Sequence, residues 1–313
     1  MTKNEYLNPQ QLDRVMLQIE TTNICNHSCE FCPNPKITAK RGFIDRELAM
    51  RVTREAYEMG VRTVAFFMFG EPLLCPDILD YYRYAAELGF TERVLVTNLA
   101  PADEKMIRDL FDAGVNAIKV SINGGSRSYA KVHGRDDYER VMSLLKYAYE
   151  YKTANQIPCT ILSSYVVTKD NADEFEEHAA RLKGITDFVL PVGLLDFAGS
   201  VAREKDELNA QLAGCRHMLD ISPGCPCRQL SRWMIVTVDG YLSLCCHEPY
   251  GRARVCDLRT KPLRDAWYSD TMQELRKRHL DRDLDGLLCY NCINHTDKPA
   301  ESFLEKSDAV MSK

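Results

Sequence analysis

The feature that most constrains the fold is an alternation of β-rich runs with helical patterns between about residues 15 and 191. Strands that alternate with helices pair in parallel and are joined by right-handed crossovers. Six such units are too few for a closed eight-unit barrel. The pattern therefore predicts an α/β fold, an open and partial (βα)6 barrel of the TIM type. The six predicted strands cover residues 16–21, 63–69, 93–97, 117–122, 159–167 and 187–190.

Helices are predicted between these strands wherever apolar residues recur three and four positions apart. One of them covers residues 45–59, and Gly60 follows it as a stop signal. Another is predicted to begin at Asn171, with Glu174 three residues later as a variant of the capping box.

The alternation ends near residue 199, and a smaller second domain is predicted beyond it. Two strands, 233–238 and 241–245, flank an Asp-Gly dipeptide that is typical of tight hairpin turns. A helix is predicted over residues 262–279. We therefore expect three parts: a barrel domain (1–199), a small C-terminal domain (200–295) and a polar tail (296–313).

Thirteen cysteines in 313 residues are the unusual part of the composition. Residues 1–9 are polar and lack the apolar core of a signal peptide, and no apolar run is long enough to cross a membrane. The net charge of −5 argues against a general affinity for nucleic acid. We therefore expect a cytoplasmic protein without membrane or nucleic-acid partners. In that reducing compartment, clustered cysteines bind metal or carry out redox chemistry rather than form disulfides.

Three of the cysteines, Cys25, Cys29 and Cys32, lie in one short segment directly after the first predicted strand. Parallel barrels collect their functional residues at the C-terminal ends of the strands. Three thiolates in such a loop can hold a four-iron, four-sulfur cluster and leave one iron open to a substrate or cofactor. The alternative is a zinc site in which His27 supplies the fourth ligand.

This CxxxCxxC loop, with the aromatic Phe31 before its last cysteine, resembles that of the radical S-adenosylmethionine (radical SAM) enzymes. Gly70, Glu71 and Pro72 end the second predicted strand, where that family carries a GGE or GEP motif. The resemblance implies that a backbone carbonyl and Glu71 accept hydrogen bonds from the methionine ammonium group. The alternative is an ordinary turn with a solvated glutamate.

Asn98 ends the third predicted strand, and Ser121 and Asn123 end the fourth. In the resembled family, such strand ends hold the ribose and the methionyl carboxylate, although each residue could also simply cap a turn. The resemblance implies that the reduced cluster, supplied by an electron donor such as flavodoxin or ferredoxin, cleaves SAM to methionine and a 5′-deoxyadenosyl radical. That radical abstracts a hydrogen atom from an unactivated substrate carbon.

A second set of cysteines lies in the C-terminal part of the chain. Two flank the predicted hairpin and two form a CxxC pair, and four thiolates can ligate a second [4Fe-4S] cluster fully. The set resembles the auxiliary-cluster region of the SPASM/twitch branch of radical SAM enzymes. A zinc ribbon is the alternative. One auxiliary cluster is expected, because the longer run of cysteines typical of two-cluster members is missing. The set is Cys227, Cys245, Cys289 and Cys292.

The version with one auxiliary cluster resembles family members that oxidise or epimerise aminocyclitols and aminoglycosides during antibiotic biosynthesis. It implies dehydrogenation of an alcohol carbon on a polar small molecule such as a sugar or an aminocyclitol. The alternative is an epimerase, in which a thiol outside both sets, Cys246 or Cys256, donates a hydrogen atom to the substrate radical. A peptide-modifying enzyme of the same branch is a further alternative.

Overall fold

The computed structural model describes residues 2–195, 197, 226–294, 299–300 and 303–304. Within these residues nine strands form one sheet. The strands are β1 Met16–Ile19, β2 Thr63–Ala65, β3 Glu92–Thr97, β4 Ala117–Ser121, β5 Thr160–Val166, β6 Phe188–Val192, β7 Trp233–Val236, β8 Tyr241–Ser243 and β9 Arg254–Asp257. Their order across the sheet is β6-β5-β4-β3-β2-β1-β7-β8-β9.

Strands β1 to β6 are parallel and lie side by side in chain order. Helices follow them along the chain, as the alternation predicts. The sheet has two edges and does not close, so the predicted open α/β arrangement of six βα units is confirmed. The helices of this part are α1 Lys3–Leu7, α2 Arg46–Met59, α3 Ile78–Leu88, α4 Glu104–Asp112, α5 Tyr129–His133, α6 Tyr138–Ala154 and α7 Phe175–Leu182.

Helix α2 shows how local sequence signals set an element. The Asp45 side chain accepts a hydrogen bond from the Leu48 N–H at 2.8 Å and so caps the first turn. Val52 and Ala56 are fully buried on the face that packs into the core. Gly60 ends the helix at a φ of 108°, a left-handed conformation that favours glycine. The predicted helix over residues 45–59 is confirmed.

Two of the local predictions for the barrel part were wrong. Strand β2 has three residues instead of seven, because an apolar run does not show where pairing ends. Asn171 does not cap a helix, since its Oδ1 accepts the Thr168 N–H at 2.7 Å and its Nδ2 donates to the carbonyls of Asn123 and Val166, both at 2.9 Å. Glu174 likewise has another partner, because its carboxylate accepts the Arg127 N–H at 3.3 Å.

The C-terminal hairpin continues the barrel sheet, because β7 pairs in parallel with β1. Strand β8 pairs antiparallel with β7 and then with β9, so the predicted hairpin is confirmed and a third strand is added. The helix predicted over 262–279 is two helices, because Ser269 has an extended backbone and caps the Met272 N–H. The helices of this part are α8 Gln229–Arg232, α9 Leu263–Trp267, α10 Asp270–Asp281 and α11 Leu288–Asn294.

The predicted domain boundary near residue 199 and most of the predicted tail, 296–313, lie outside the described residues and stay predictions. In the part of the chain that the structure describes, every helix is too short or too polar to cross a membrane.

Candidate active site at the C-terminal ends of the strands

The segment that carries the first three cysteines leaves the end of β1 and is fastened to its neighbours. The Cys32 N–H donates to the Cys29 carbonyl at 3.0 Å, and the Asn34 N–H donates to Cys32 Sγ at 3.5 Å. Asn34 Nδ2 donates to the carbonyls of Asn23 and Phe69, at 3.0 and 2.8 Å. The loop is therefore tied both to itself and to the segment that follows β2.

The three thiols lie close enough to influence one another. Burial raises the pKa of Cys25 to about 11 and also raises those of Cys29 and Cys32. The charges of Cys32 and Cys25 raise the pKa of Cys29 further. Three half-buried sulfur donors on one loop fit an iron–sulfur cluster, whose iron ions compensate the thiolate charge.

His27 lies beside this loop, but both of its ring nitrogens have other partners. Nε2 is 3.1 Å from Asp137 Oδ2, and Nδ1 is 3.1 Å from Nδ1 of His133. His27, Cys29 and His133 each place one possible ligand atom within 4.8 Å of the others. Because the imidazole nitrogens are held in hydrogen bonds, this geometry disfavours the alternative in which His27 is a zinc ligand.

Gly70 allows the cysteine loop to lie directly on the end of β2. A Cβ atom at this position would be 2.2 Å from the Thr22 carbonyl oxygen and 2.8 Å from that of Ile24. The next residue, Glu71, donates its N–H to the Ile24 carbonyl at 2.8 Å. Pro72 then begins a 3-10 turn over Pro72–Leu74. Only glycine permits this close approach of two backbones.

The Glu71 carboxylate joins the ends of β2 and β3. It accepts hydrogen bonds from Thr97 Oγ1 at 2.6 Å, the Asn98 N–H at 2.7 Å and the Leu73 N–H at 3.1 Å. Burial raises its pKa to about 7, and these hydrogen bonds oppose that shift. A carboxylate has about four acceptor positions, so one remains for a further donor. The predicted contact with an ammonium group stays a prediction.

The other predicted SAM contacts differ in the hydrogen bonds that their side chains already make within the protein. Asn98 Nδ2 donates to Asn26 Oδ1 at 2.9 Å, and Asn123 Oδ1 accepts the Val166 N–H at 2.8 Å. Ser121, on β4, has no side-chain hydrogen bond in the described part of the chain. Phe31 is half-buried next to Cys32. The structure brings these residues to one end of the sheet, and their roles toward SAM stay predictions.

The second set of cysteines comes from three separate segments. Cys227 precedes α8, Cys245 follows β8, and Cys289 and Cys292 lie on α11. Burial raises the pKa of Cys245, and the charges of Cys292 and Cys227 raise it further. Burial likewise raises the pKa of Cys289, and the charges of Cys227 and Cys292 raise it further. Four converging thiols match the donor set of a fully ligated cluster.

The two cysteines considered as hydrogen donors lie in different surroundings. Cys256 is fully buried on β9 within the hydrophobic core, and its Sγ is 3.8 Å from Ser269 Oγ. This location disfavours the donor role that the sequence allowed for Cys256. Cys246 is half-buried, and burial raises its pKa to about 12. The charges of Cys227 and Lys119 also act on it.

Lys119 is a site residue that the sequence analysis missed. Its neighbours on β4, Ile118 and Val120, belong to the hydrophobic core, so Lys119 and Ser121 share the opposite face, toward the barrel interior. Burial lowers the pKa of Lys119, and Cys246 opposes that shift. Within the described residues its ammonium group has no hydrogen-bond or ion-pair partner. A lysine inside an apolar strand was the available signal.

Comparison with known proteins agrees with this geometry. The family model of the Radical SAM superfamily matches residues 19–182, more than half of the chain, so the chain belongs to that superfamily. A second model, the SPASM iron-sulfur cluster-binding domain, matches residues 225–293. The protein is therefore a radical SAM enzyme with a SPASM domain. It uses SAM and a [4Fe-4S] cluster, and the SPASM domain binds auxiliary iron–sulfur cofactor, which confirms the cofactor prediction.

Three individual proteins that resemble this chain share less than 30% of their residues with it. The uncharacterized protein MJ0804 of Methanocaldococcus jannaschii is 29% identical over 182 residues, which are 57% of this chain and 57% of that protein. BtrN, solved in complex with AdoMet and 2-DOIA, superposes with a TM-score of 0.58 at 16% identity, over 89% of this chain and 91% of BtrN. Streptococcus suis SuiB, bound to precursor peptide SuiA, has a TM-score of 0.64 at 18% identity, over 83% and 66%. These two similarities show the fold.

Proposed function

We propose that the protein dehydrogenates an alcohol carbon of a polar small molecule, such as a sugar or an aminocyclitol, held inside the barrel. When bound, SAM and the two clusters supply the hydrogen-abstracting radical and an acceptor for the second electron. Oxidation of an alcohol to a carbonyl also releases the hydroxyl proton, and the chain itself must receive it. The observation that carries the proposal is the position of Lys119, a half-buried lysine on the inward face of β4.

Three properties suit Lys119 to receive that proton. It lies on the inward face of β4, on the same strand as Ser121, where a substrate in the barrel would reach it. Burial lowers its pKa, so a larger fraction of the amine is neutral and basic. No carboxylate of the described residues neutralises it, which leaves the amine available to a substrate hydroxyl.

The relatives support a small-molecule substrate. BtrN was solved with 2-DOIA, and the two chains cover each other almost fully. SuiB was solved with a precursor peptide, and this chain covers only 66% of it. A role in antibiotic biosynthesis and a flavodoxin or ferredoxin as the electron donor belong to the same proposal.

Epimerisation is a second candidate function. The presence of the Cys246 thiol next to the second cysteine set favours it. Its thiol is outside both cysteine sets, and its raised pKa of about 12 keeps it protonated near neutral pH. A protonated thiol can give a hydrogen atom to a carbon radical. The charges of both Cys227 and Lys119 act on it, so it is near enough to feel the second cysteine set and β4 alike.

The test is anaerobic turnover of candidate aminocyclitols and sugars in deuterium oxide. A carbonyl product without carbon-bound deuterium supports dehydrogenation. An epimer that carries deuterium on carbon, and that disappears in Cys246→Ala, contradicts it and supports the second candidate. Lys119→Met should lose the carbonyl product while still forming 5′-deoxyadenosine. Lys146→Met, an exposed lysine on α6, is the matched control. Modification of a peptide substrate alone would contradict both candidates.

A further inference from the structure

Two buried histidines, His27 and His133, contact each other, and His133 also contacts Cys29 of the first set. His133, at the end of α5, places Nδ1 3.6 Å from Cys29 Sγ and 3.1 Å from His27 Nδ1. His133 Nε2 is 3.0 Å from the Asn123 N–H. His27 Nε2 is 3.1 Å from Asp137 Oδ2. The proposed dehydrogenation does not require these contacts.

The partners fix the tautomer of both rings. A backbone N–H can only donate, so His133 Nε2 accepts from Asn123 and the ring proton is on Nδ1. A carboxylate accepts, so His27 Nε2 carries a proton toward Asp137. His27 Nδ1 is then the acceptor that faces the His133 Nδ1–H. The one His133 proton is therefore shared between His27 Nδ1 and Cys29 Sγ.

The surroundings hold this arrangement rigidly. The Tyr129 ring stacks on His133 with centroids 4.1 Å apart, and its hydroxyl donates to Asp137 Oδ1 at 2.9 Å. The Ser28 N–H donates to the His133 carbonyl at 3.1 Å, which fastens the cysteine loop to α5. His133 is 1% exposed and His27 6%, so water does not compete for the ring nitrogens.

We propose that His133 is a positioning residue that donates its Nδ1–H to the Cys29 sulfur and so raises the reduction potential of the [4Fe-4S] cluster that the loop holds. Hydrogen bonds to ligand sulfurs are one of the factors that set cluster potentials. A donor stabilises negative charge on sulfur, and the reduced cluster carries more of it. The Asn123 N–H fixes the His133 tautomer that presents the proton, whereas Asp137 fixes the His27 tautomer that competes for it.

Because the proton is shared, the proposal can be tested with two variants that should shift the reduction potential of the cluster in opposite directions. His133→Phe keeps an aromatic ring on Tyr129 but removes the donor to Cys29. His27→Phe removes the competing acceptor and leaves the His133 proton to the sulfur alone. A merely structural role would not produce opposite shifts, because damage to the loop would move both variants in one direction.

The experiment is a redox titration of the reconstituted holoenzyme, followed by electron paramagnetic resonance. The signal of interest is the one that changes when SAM is added. At the wild-type midpoint, we expect the ratio of reduced to oxidised cluster to fall about tenfold in His133→Phe, which corresponds to 59 mV for a one-electron couple. In His27→Phe we expect the ratio to rise.

His178→Phe is the matched control, because His178 is also buried and hydrogen-bonded to a tyrosine, at 3.2 Å from Tyr138, but does not contact the loop. Its midpoint should equal that of the wild type. An unchanged midpoint in His133→Phe, or shifts of the same sign in the two variants, would overturn the proposal. If His133→Phe does not hold its cluster, the His27→Phe variant alone tests the proposal. An unchanged or lower ratio of reduced to oxidised cluster in His27→Phe then rejects it.

Discussion

The two cysteine sets differ in how the chain assembles them. The first occupies one loop, from Cys25 to Cys32, after a single strand. The second draws on three segments, one before α8, one after β8 and one on α11. The first therefore depends mainly on local backbone geometry, whereas the second exists only if distant parts of the chain pack correctly. This difference predicts that the two sets fail in different ways.

Their supports differ too. The first set is held by one residue of the loop, Asn34, which donates to the carbonyls of Asn23 and Phe69, and by the close approach of Gly70 to the loop backbone. The second depends on a fully buried arginine, Arg276 on α10. Arg276 donates to the carbonyls of Leu230 and Trp267, both at 3.0 Å, and its guanidinium lies 4.3 Å from the centre of the Trp267 ring. Leu230 is on α8, next to the segment of Cys227.

The largest expected effect separates the two sets directly. Cys29→Ala should abolish 5′-deoxyadenosine formation, because the cluster that contacts SAM loses a ligand. About four of the about eight irons expected from two four-iron clusters should then be lost. Cys289→Ala should lose a similar amount of iron but keep forming 5′-deoxyadenosine, without substrate oxidation. Iron analysis and chromatography measure both. Continued SAM cleavage by Cys29→Ala would show that this loop does not hold the catalytic cluster.

The next effect concerns the support of the second set. Arg276→Met should leave two buried carbonyls without donors and lower the free energy of unfolding by about 3 kcal/mol. Burial lowers the pKa of Arg276 to about 10, so the guanidinium is still charged at neutral pH and its bonds are charge-assisted. Urea denaturation measures the loss, and Lys277→Met, an exposed neighbour on α10, is the control. Equal stability of the two variants would contradict this role.

A smaller effect is expected from the support of the first set. Gly70→Ala would place a Cβ against two fixed backbone carbonyls and should cost about 2 kcal/mol of unfolding free energy. The displaced loop should also hold less iron, while the second set is unaffected. Gly42→Ala is the matched control, because a Cβ there would meet no atom of the described residues within 4 Å. If both variants unfold alike, the close approach at Gly70 does not constrain the loop.

The parts of the molecule that sequence predicts well are those with local signals. The apolar periodicity of each strand and helix, the Asp-Gly turn and the CxxxCxxC spacing are all local patterns, and the structure has the βα units and the hairpin that they predict. The length of β2 and the break at Ser269 were missed, because apolar periodicity does not show where hydrogen bonding stops. Strand β9 was missed because its partner is decided by the sheet edge that β8 offers.

The least predictable residues act across long sequence distances. His27 and His133 are 106 positions apart, and neither lies in a motif that suggests the other. Lys119 stands out in the sequence only as a lysine inside an apolar strand, and the neighbouring strands are needed to show which face of β4 is turned inward. Contacts of this kind depend on the register of the sheet, which one sequence does not reveal.

The smallest effect tests a carboxyl group between the two regions. Glu20 follows β1, is 4% exposed, and accepts the N–H of Val238 in the hairpin at 3.0 Å. Burial raises its pKa from 4.5 to about 7, and Asp239 adds to the shift, against backbone donors that include Phe69.

The folded state therefore holds this proton more tightly than the unfolded state, so its contribution to stability is complete below about pH 4.5 and is lost as the pH rises toward 7. Glu20→Gln keeps an acceptor for the Val238 N–H but cannot ionise. The unfolding free energy of the wild type relative to Glu20→Gln should thus fall by at most about 1.4 kcal/mol between pH 5 and pH 6. Denaturant titrations at several pH values measure this difference. A constant difference across that range would mean that Glu20 titrates alike in both states, and that the junction of β1 with the hairpin is open to water.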